Sequence, residues 1–346
     1  MRIAIAERLR PFSHLPGSRC VLPFSKWGCE IFPTLVRMID LEASEPRLVA
    51  SWPLELLGPI DNFTVIQDLE KGYVRFFGHG PDGYFRYRIV ADSSPVGYTI
   101  TRDQKIDAEP MTSAGPIFAS AMSLERLSFG CTKAQQWPSI AERRTLSEIF
   151  PLWFRLGQQL PPLVAHAHGA ASLLLEIEEL IARRSLLELE AAWQRLYAVA
   201  FGSMLLPQLA DPMHLGIPVP AVDNDAKGSP LWLLARGAQL IKRMLVAATA
   251  ESVAILPALL PSLHAGRLLN VHIEGLGHLD LEWSKKTIRR MIFKSIVDGT
   301  VHFTFQSGMR HFRWCEAADL RGRVGQCNIP LQVEAGKCYF FDCFSR

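Results

Sequence analysis

None of the seven cysteines stands in a C-x-x-C pair, and that absence takes away zinc-ribbon and thioredoxin-type chemistry. Charge of one sign is not in excess either. The 37 Lys and Arg against 34 Asp and Glu leave a net charge of +3 over 346 residues. The basic residues are dispersed, so nothing argues for a nucleic-acid surface. Long apolar runs are missing too. The most apolar segment, Pro230 to Ala250, is interrupted by Arg236, Lys242 and Arg243, short of the about 18–20 uninterrupted apolar residues of a membrane span. The opening MRIAIAERLRPF carries charges within its apolar stretch and has no h-region, so it does not read as a signal peptide. Gly78-His79-Gly80 has no Lys-Ser/Thr leading into a helix and is no phosphate loop. No cofactor motif, internal repeat or low-complexity tract is present. The expectation is a soluble, cytoplasmic protein with scattered reduced thiols. For Cys327, Cys338 and Cys343 an oxidised hairpin is the alternative.

What is present is an ordinary globular composition, 49% hydrophobic and 21% charged, in a chain long enough for two or three compact units. Residues 1–118 read as β-rich, with short apolar runs between Pro and Gly punctuation. In YVRFFGHGPDGYFRYRIVA the Pro81-Asp82-Gly83 turn predicts an antiparallel hairpin. Phe85, Tyr87 and Ile89 should share one face of its second strand, and Tyr84, Arg86 and Arg88 the other.

Residues 119–265 carry helical periodicity. SIAERRTLSEIFPLWFRLGQQL is expected to break or restart at Pro151. The segment from Ala170 to Phe201 is the longest helical signal, with Leu174, Ile177, Ile181, Leu189, Trp193, Leu196 and Ala200 near one face. Ser229-Pro230 is a helix start, with Ser229 as N-cap. Val253–Leu260, bounded by Pro257 and Pro261, predicts a turn. Strands return in residues 266–346. Asp298-Gly299 predicts a hairpin between TIRRMIFKSI and TVHFTFQ, and LQVEAGKCYFFDCF a closing one.

One stretch unites these parts. Ala221-Val222-Asp223-Asn224-Asp225-Ala226-Lys227-Gly228-Ser229 precedes a helix; Ile255-Leu256-Pro257-Ala258-Leu259-Leu260-Pro261, Gly266 and Leu279-Asp280-Leu281-Glu282-Trp283 follow. This order resembles the end of the catalytic barrel in α-L-fucosidase-type inverting glycoside hydrolases. There a loop of the form Q-I-D-G-N-F-G-G-T leads into a helix, then L-L-P-A-L-P, a glycine and a strand ending in tryptophan. The resemblance implies an α+β multidomain fold: an N-terminal β-sandwich-like domain, a central α/α toroid-like helical block and a C-terminal antiparallel β domain. It places Asp223 where the family's aspartate activates water. A second carboxyl would then protonate the leaving oxygen from about 6.5–9.5 Å away. Where that family has asparagine and paired glycines, this chain has Asp225, Ala226 and Lys227. Its helical region of about 130 residues is also too short for twelve helices of about 11 residues each with their loops. The helical block is thus a reduced one. The implied protein is a shortened, diverged relative that binds, or once hydrolysed, a carbohydrate. The alternative is a non-catalytic structural or protein-interaction scaffold.

Candidate residues follow from this. Asp223 is the candidate base, with Asp225 beside it; the same acids also suit a solvated turn before a helix N-terminus. Trp153, Trp137 and Trp232 are candidate sugar-stacking faces, as are Trp27 and Trp52, although tryptophans serve packing as readily. Glu125, Glu142 and Glu148 are the available stand-ins for a general acid. His166 and His168 lack a readable third metal ligand, and Cys131 lacks a His and acid to make it a nucleophile. No metal is expected, and a carbohydrate is the expected partner.

Overall fold

The computed structural model describes residues 2–345 except 43–44, 94–96, 104–123, 166–167, 212–214, 221–227, 250–251, 318–320 and 328. Its N-terminal strands are β1 Phe12–Ser13, β2 Ser18–Val21, β3 Trp27–Phe32, β4 Leu35–Asp40, β5 Arg47–Pro53, β6 Asp61–Asp68, β7 Tyr73–Gly80, β8 Gly83–Ala91 and β9 Tyr98–Arg102. After β10 Arg126–Ser128 come five helices: α1 Trp137–Arg143, α2 Leu146–Gly157, α3 Leu173–Arg183, α4 Leu186–Ala200 and α5 Leu231–Leu245. The chain then continues through β11 Val246–Ala248, β12 Ser252–Ile255, β13 Gly266–Ile273, β14 Gly277–Ser284 and β15 Thr287–Ser295. It closes with β16 Gly299–Thr304, β17 His311–Glu316, β18 Arg323–Gln326, β19 Leu331–Val333 and β20 Cys338–Ser345. The fold is α+β, with N-terminal antiparallel sheets, a central helical block and C-terminal sheets that are antiparallel except where β12 meets β16.

Strands β1-β6-β7-β8-β9 form one N-terminal sheet and β2-β3-β4-β5 the other. The β7–β8 hairpin closes with Gly80 opposite Gly83, as the Pro81-Asp82-Gly83 turn requires. Phe85, Tyr87 and Ile89 are buried, while Arg86 and Arg88 lie on the other face. Cys20 and Cys29 are cross-strand neighbours in the core. Burial pushes the Cys20 thiol up to about 12 and raises Cys29 as well, which makes both thiols inert. All seven cysteines are free.

In the helical block α2 is buried on nearly every side. Trp153 sits at its centre, T-shaped against Trp193 at 5.3 Å and Phe201 at 4.4 Å between ring centroids. Its Nε1–H donates to the Leu234 carbonyl at 3.2 Å. Glycine permits the close approach of α2 and α5. A Cβ on Gly237 would lie 2.4 Å from the Trp153 ring, and one on Gly157 would lie 2.4 Å from the Leu234 carbonyl oxygen.

Several expectations are corrected. Pro151 breaks nothing: it is the sixth residue of α2 and removes one interior hydrogen bond, to Ser147, which is partly exposed to solvent. The break before α2 falls instead at Arg144, in the left-handed conformation. The long helical signal is two helices. Arg184 N–H bonds the Ile181 carbonyl and Ser185 N–H the Leu180 carbonyl, both at 3.2 Å, a Schellman stop made without glycine. The expected turn over Val253–Leu260 begins as strand β12. Asp298-Gly299 does not close a hairpin. Strand β15 already pairs with β14 and β20, so β16 crosses to a second sheet of order β11-β12-β16-β19. For the same reason β19 and β20 belong to different sheets rather than to one hairpin.

The seven-stranded sheet, β10-β13-β14-β15-β20-β17-β18, takes its first strand from before the helices. Sheet pairing therefore ties residue 126 to residue 269 and encloses the helical block. Gly237→Ala should destabilise the protein by about 1–3 kcal/mol through overpacking against Trp153, despite alanine's better helix propensity. Urea unfolding measures this, and an unchanged or higher midpoint would contradict the packing account.

Candidate functional site

Asp223 and Asp225, with Ala226 and Lys227, lie outside the described residues, as does His166. The helix that follows them is anchored: Ser229 Oγ accepts from Leu231 N–H at 3.1 Å and donates to the Leu41 carbonyl of the N-terminal part. Trp137 and Trp153 are buried in the core, and Trp232 is half-buried against it. Trp27 stacks edge-on to Tyr98 at 5.7 Å. Trp52, 47% exposed, is the most exposed of the candidates, and its Nε1–H donates to the Tyr98 hydroxyl at 3.1 Å. Cys131 is half-exposed in a narrow crevice with Leu9, Lys133 and Glu148, and no histidine lines it. His168 is exposed. Among the described residues no three His, Cys, Asp or Glu gather as a metal site.

The candidate acids are engaged in structure. Glu125 pairs with Lys242 Nζ at 2.5 Å and accepts the His272 N–H at 2.9 Å, which binds the helical block to the C-terminal sheet. Glu148 receives Arg143 at 2.6 Å and Lys133 at 3.0 Å. Burial alone would raise its carboxyl, but these cations hold it below the usual carboxylate range. Glu142 is exposed on α1.

From α5 the chain runs through strands β11 and β12 before the proline turn brings it to the C-terminal sheet. Leu256 N–H bonds the Leu245 carbonyl at 2.7 Å, and Ala258 N–H bonds Met244 at 3.1 Å, folding the proline turn onto the end of α5. Trp283 then locks the turn to the sheet. Its Nε1–H donates to the Leu263 carbonyl at 3.2 Å, and its ring occupies the space that a side chain at Gly266 would fill.

A cleft that the sequence did not flag opens beside the N-terminal segment. Residues 3–9 run extended and unpaired in any sheet, with Ile3 and Leu9 buried and Ala4, Ala6 and Arg8 exposed. Arg126 on β10 clamps this strap, donating to the Glu7 carbonyl at 2.9 Å and the Ile5 carbonyl at 3.4 Å. Gln135 takes Arg10 N–H at 2.6 Å and gives its amide to the Arg8 carbonyl at 2.9 Å. Below, Arg155 of α2 donates Nε–H to the Leu69 carbonyl at 3.2 Å, and Glu70 lies 3.8 Å from its Nη2. The cleft encloses about 560 Å³ and is lined by Ile5, Ala6, Arg8, Arg10, Glu70, Lys71 and Arg126. Four cations thus face one carboxylate.

No family model matches the chain, and no curated protein is significantly similar to it.

The sequence also missed Asp280 as a titrating group. A bulge in β13 leaves Asn270 left-handed, and Asp280 Oδ1 accepts its N–H at 2.7 Å. Burial raises the Asp280 carboxyl, opposed by that hydrogen bond and by His278. A carboxyl raised in the fold stabilises below its unfolded value of about 3.9, and that contribution is lost as pH rises through its folded value. Asp280→Asn keeps the acceptor and removes the ionisation. Relative to wild type it should therefore gain stability as pH rises from about 4 through the raised folded value of Asp280. Urea midpoints across that range measure the gain, and a pH-independent difference would refute the assignment.

Proposed function

We propose that this chain is a glycoside-hydrolase-like protein that binds a carbohydrate without hydrolysing it. In this reading the paired N-terminal sheets are its sandwich-like part and the five helices a reduced, toroid-like block. Support for kinship comes from the α5–proline turn–Trp283 junction. The observation that carries the reading is the condition of the helical acids. A general acid needs a carboxyl raised towards neutrality and facing the substrate. Glu148 is instead lowered by Arg143 and Lys133, and Glu125 is spent on Lys242 and the His272 backbone.

A protein-interaction scaffold is the alternative, and strand β5 favours it. This strand is the last of its sheet and exposes Leu48, Val49 and Trp52.

An aryl-glycoside panel should give no turnover, with Asp223→Asn indistinguishable from wild type. Turnover abolished by Asp223→Asn would establish hydrolysis and overturn the proposal. A bound sugar at ten times its Kd should stabilise the fold by about 1.4 kcal/mol. A thermal-shift screen in which no sugar stabilises the protein would remove the binding half and leave the scaffold reading.

A further inference from the structure

Arg155 is a buried cation whose partners do not exhaust its donors. Its side chain is 10% exposed, its Nε is bound to the Leu69 carbonyl and its Nη2 reaches Glu70 at 3.8 Å. Nη1 has no hydrogen-bond partner among the described residues. The surroundings do not relieve this. Burial lowers the Arg155 pKa, partly compensated by Glu70, and the nearby Arg126 charge lowers it further. A guanidinium remains protonated under such pressure, so two cations stand close together with one carboxylate between them. Arg155 lines a void of about 10 Å³ with Ile5, Glu7, Leu9, Glu70, Arg126 and Leu127, room for a single water. Ile5, Glu70 and Arg126 line both this void and the larger cleft outside it. Arg8, Arg10, Lys71 and Arg126 surround that cleft, with Asp68 offsetting Arg10 at 2.9 Å.

We propose that the cleft beside the N-terminal strap is an anion-binding site for the carboxylate or phosphate of a small molecule. Arg126 forms its inner cationic wall, Arg155 lies behind that wall across the water-sized void, and Arg8 and Lys71 are exposed on its outer side. Arginine suits this role because its planar donors match the paired oxygens of either anion. Glu70 does not cancel the attraction, because its single negative charge stands against four cations in the cleft lining. Its Oε1 already accepts from Leu9 N–H at 3.2 Å and Arg126 at 3.4 Å. The volume accommodates a ligand of sugar size. The inference adds a charge requirement to the carbohydrate reading and rests on that reading only for the body of the ligand.

Calorimetric titration of the full chain at constant ionic strength, with inorganic phosphate, glucuronate and glucose as probes, tests the proposal. Glucuronate and phosphate should bind and glucose should bind more weakly or not at all. Arg8→Glu with Lys71→Glu, at exposed positions, should weaken anion binding on the order of tenfold or more while leaving the melting temperature of the free protein nearly unchanged. Binding of phosphate without glucuronate supports the anion site and counts against the sugar reading. Glucose binding as tightly as glucuronate overturns the anion site and leaves the sugar reading standing. Anion binding unaffected by the Arg8 and Lys71 reversals places the anion elsewhere and overturns the proposal. Silence from phosphate and glucuronate overturns it as well, with water as the partner of Nη1.

Discussion

A charge buried on a helix that is itself buried must find its partners inside the protein, and Arg155 on α2 imposes that condition here. Its partners are the Leu69 carbonyl and Glu70, both at the turn between β6 and β7. Gln159, just past the end of α2, donates to the same carbonyl at 2.7 Å. Losing one partner of a buried charge typically costs about 3–5 kcal/mol, so the turn is fixed against the helix. The turn in turn fixes the strap, because Leu69 N–H bonds the Leu9 carbonyl at 3.1 Å and Glu70 accepts from Leu9 N–H. Three sequence-distant pieces are thus positioned by one guanidinium. On its opposite face α2 is fixed by Trp153 against Gly237, which leaves it little freedom to shift.

Local signals were legible where local chemistry decides. The Pro81-Asp82-Gly83 hairpin and the two faces of β8 follow from turn residues and alternation, and the structure has both. At Ser229 the hydroxyl does meet the Leu231 N–H, although Pro230 rather than Ser229 takes the capping position and the helix starts one residue later than expected. The failures share a different cause. At Arg184 and Ser185 the helix ends without the glycine that marks most such stops, and Pro151 is carried inside a helix because tertiary packing outweighs one lost hydrogen bond. Asp298-Gly299 has strong hairpin chemistry, yet both sides of β15 are occupied by strands from elsewhere. Edge occupancy is a property of the whole sheet and leaves no mark on the turn.

The same distinction governs the site. Motif reasoning found the junction from α5 through the proline turn to Trp283, since that junction is contiguous and its residue types are unusual. The strap cleft is assembled from residues 5–10, 70–71 and 126, with Arg155 on the small void behind it, and none of these forms a motif. Alternation of buried and exposed residues is visible in IAIAERL, but nothing in the sequence says that Arg126 will hold that segment by its carbonyls. Likewise, Glu125 and Glu148 were named for their acidity, while their ion pairs with Lys242, Arg143 and Lys133 depend on helix placement.

These two regions do different mechanical work through one sheet. Strand β10 carries Arg126 to the strap and pairs with β13, the strand that follows the proline turn. Strand β14 carries Trp283 back to that turn. The strap clamp and the helix junction therefore share a frame of three adjacent strands, and Glu125, immediately before β10, adds a direct tie to α5 through Lys242.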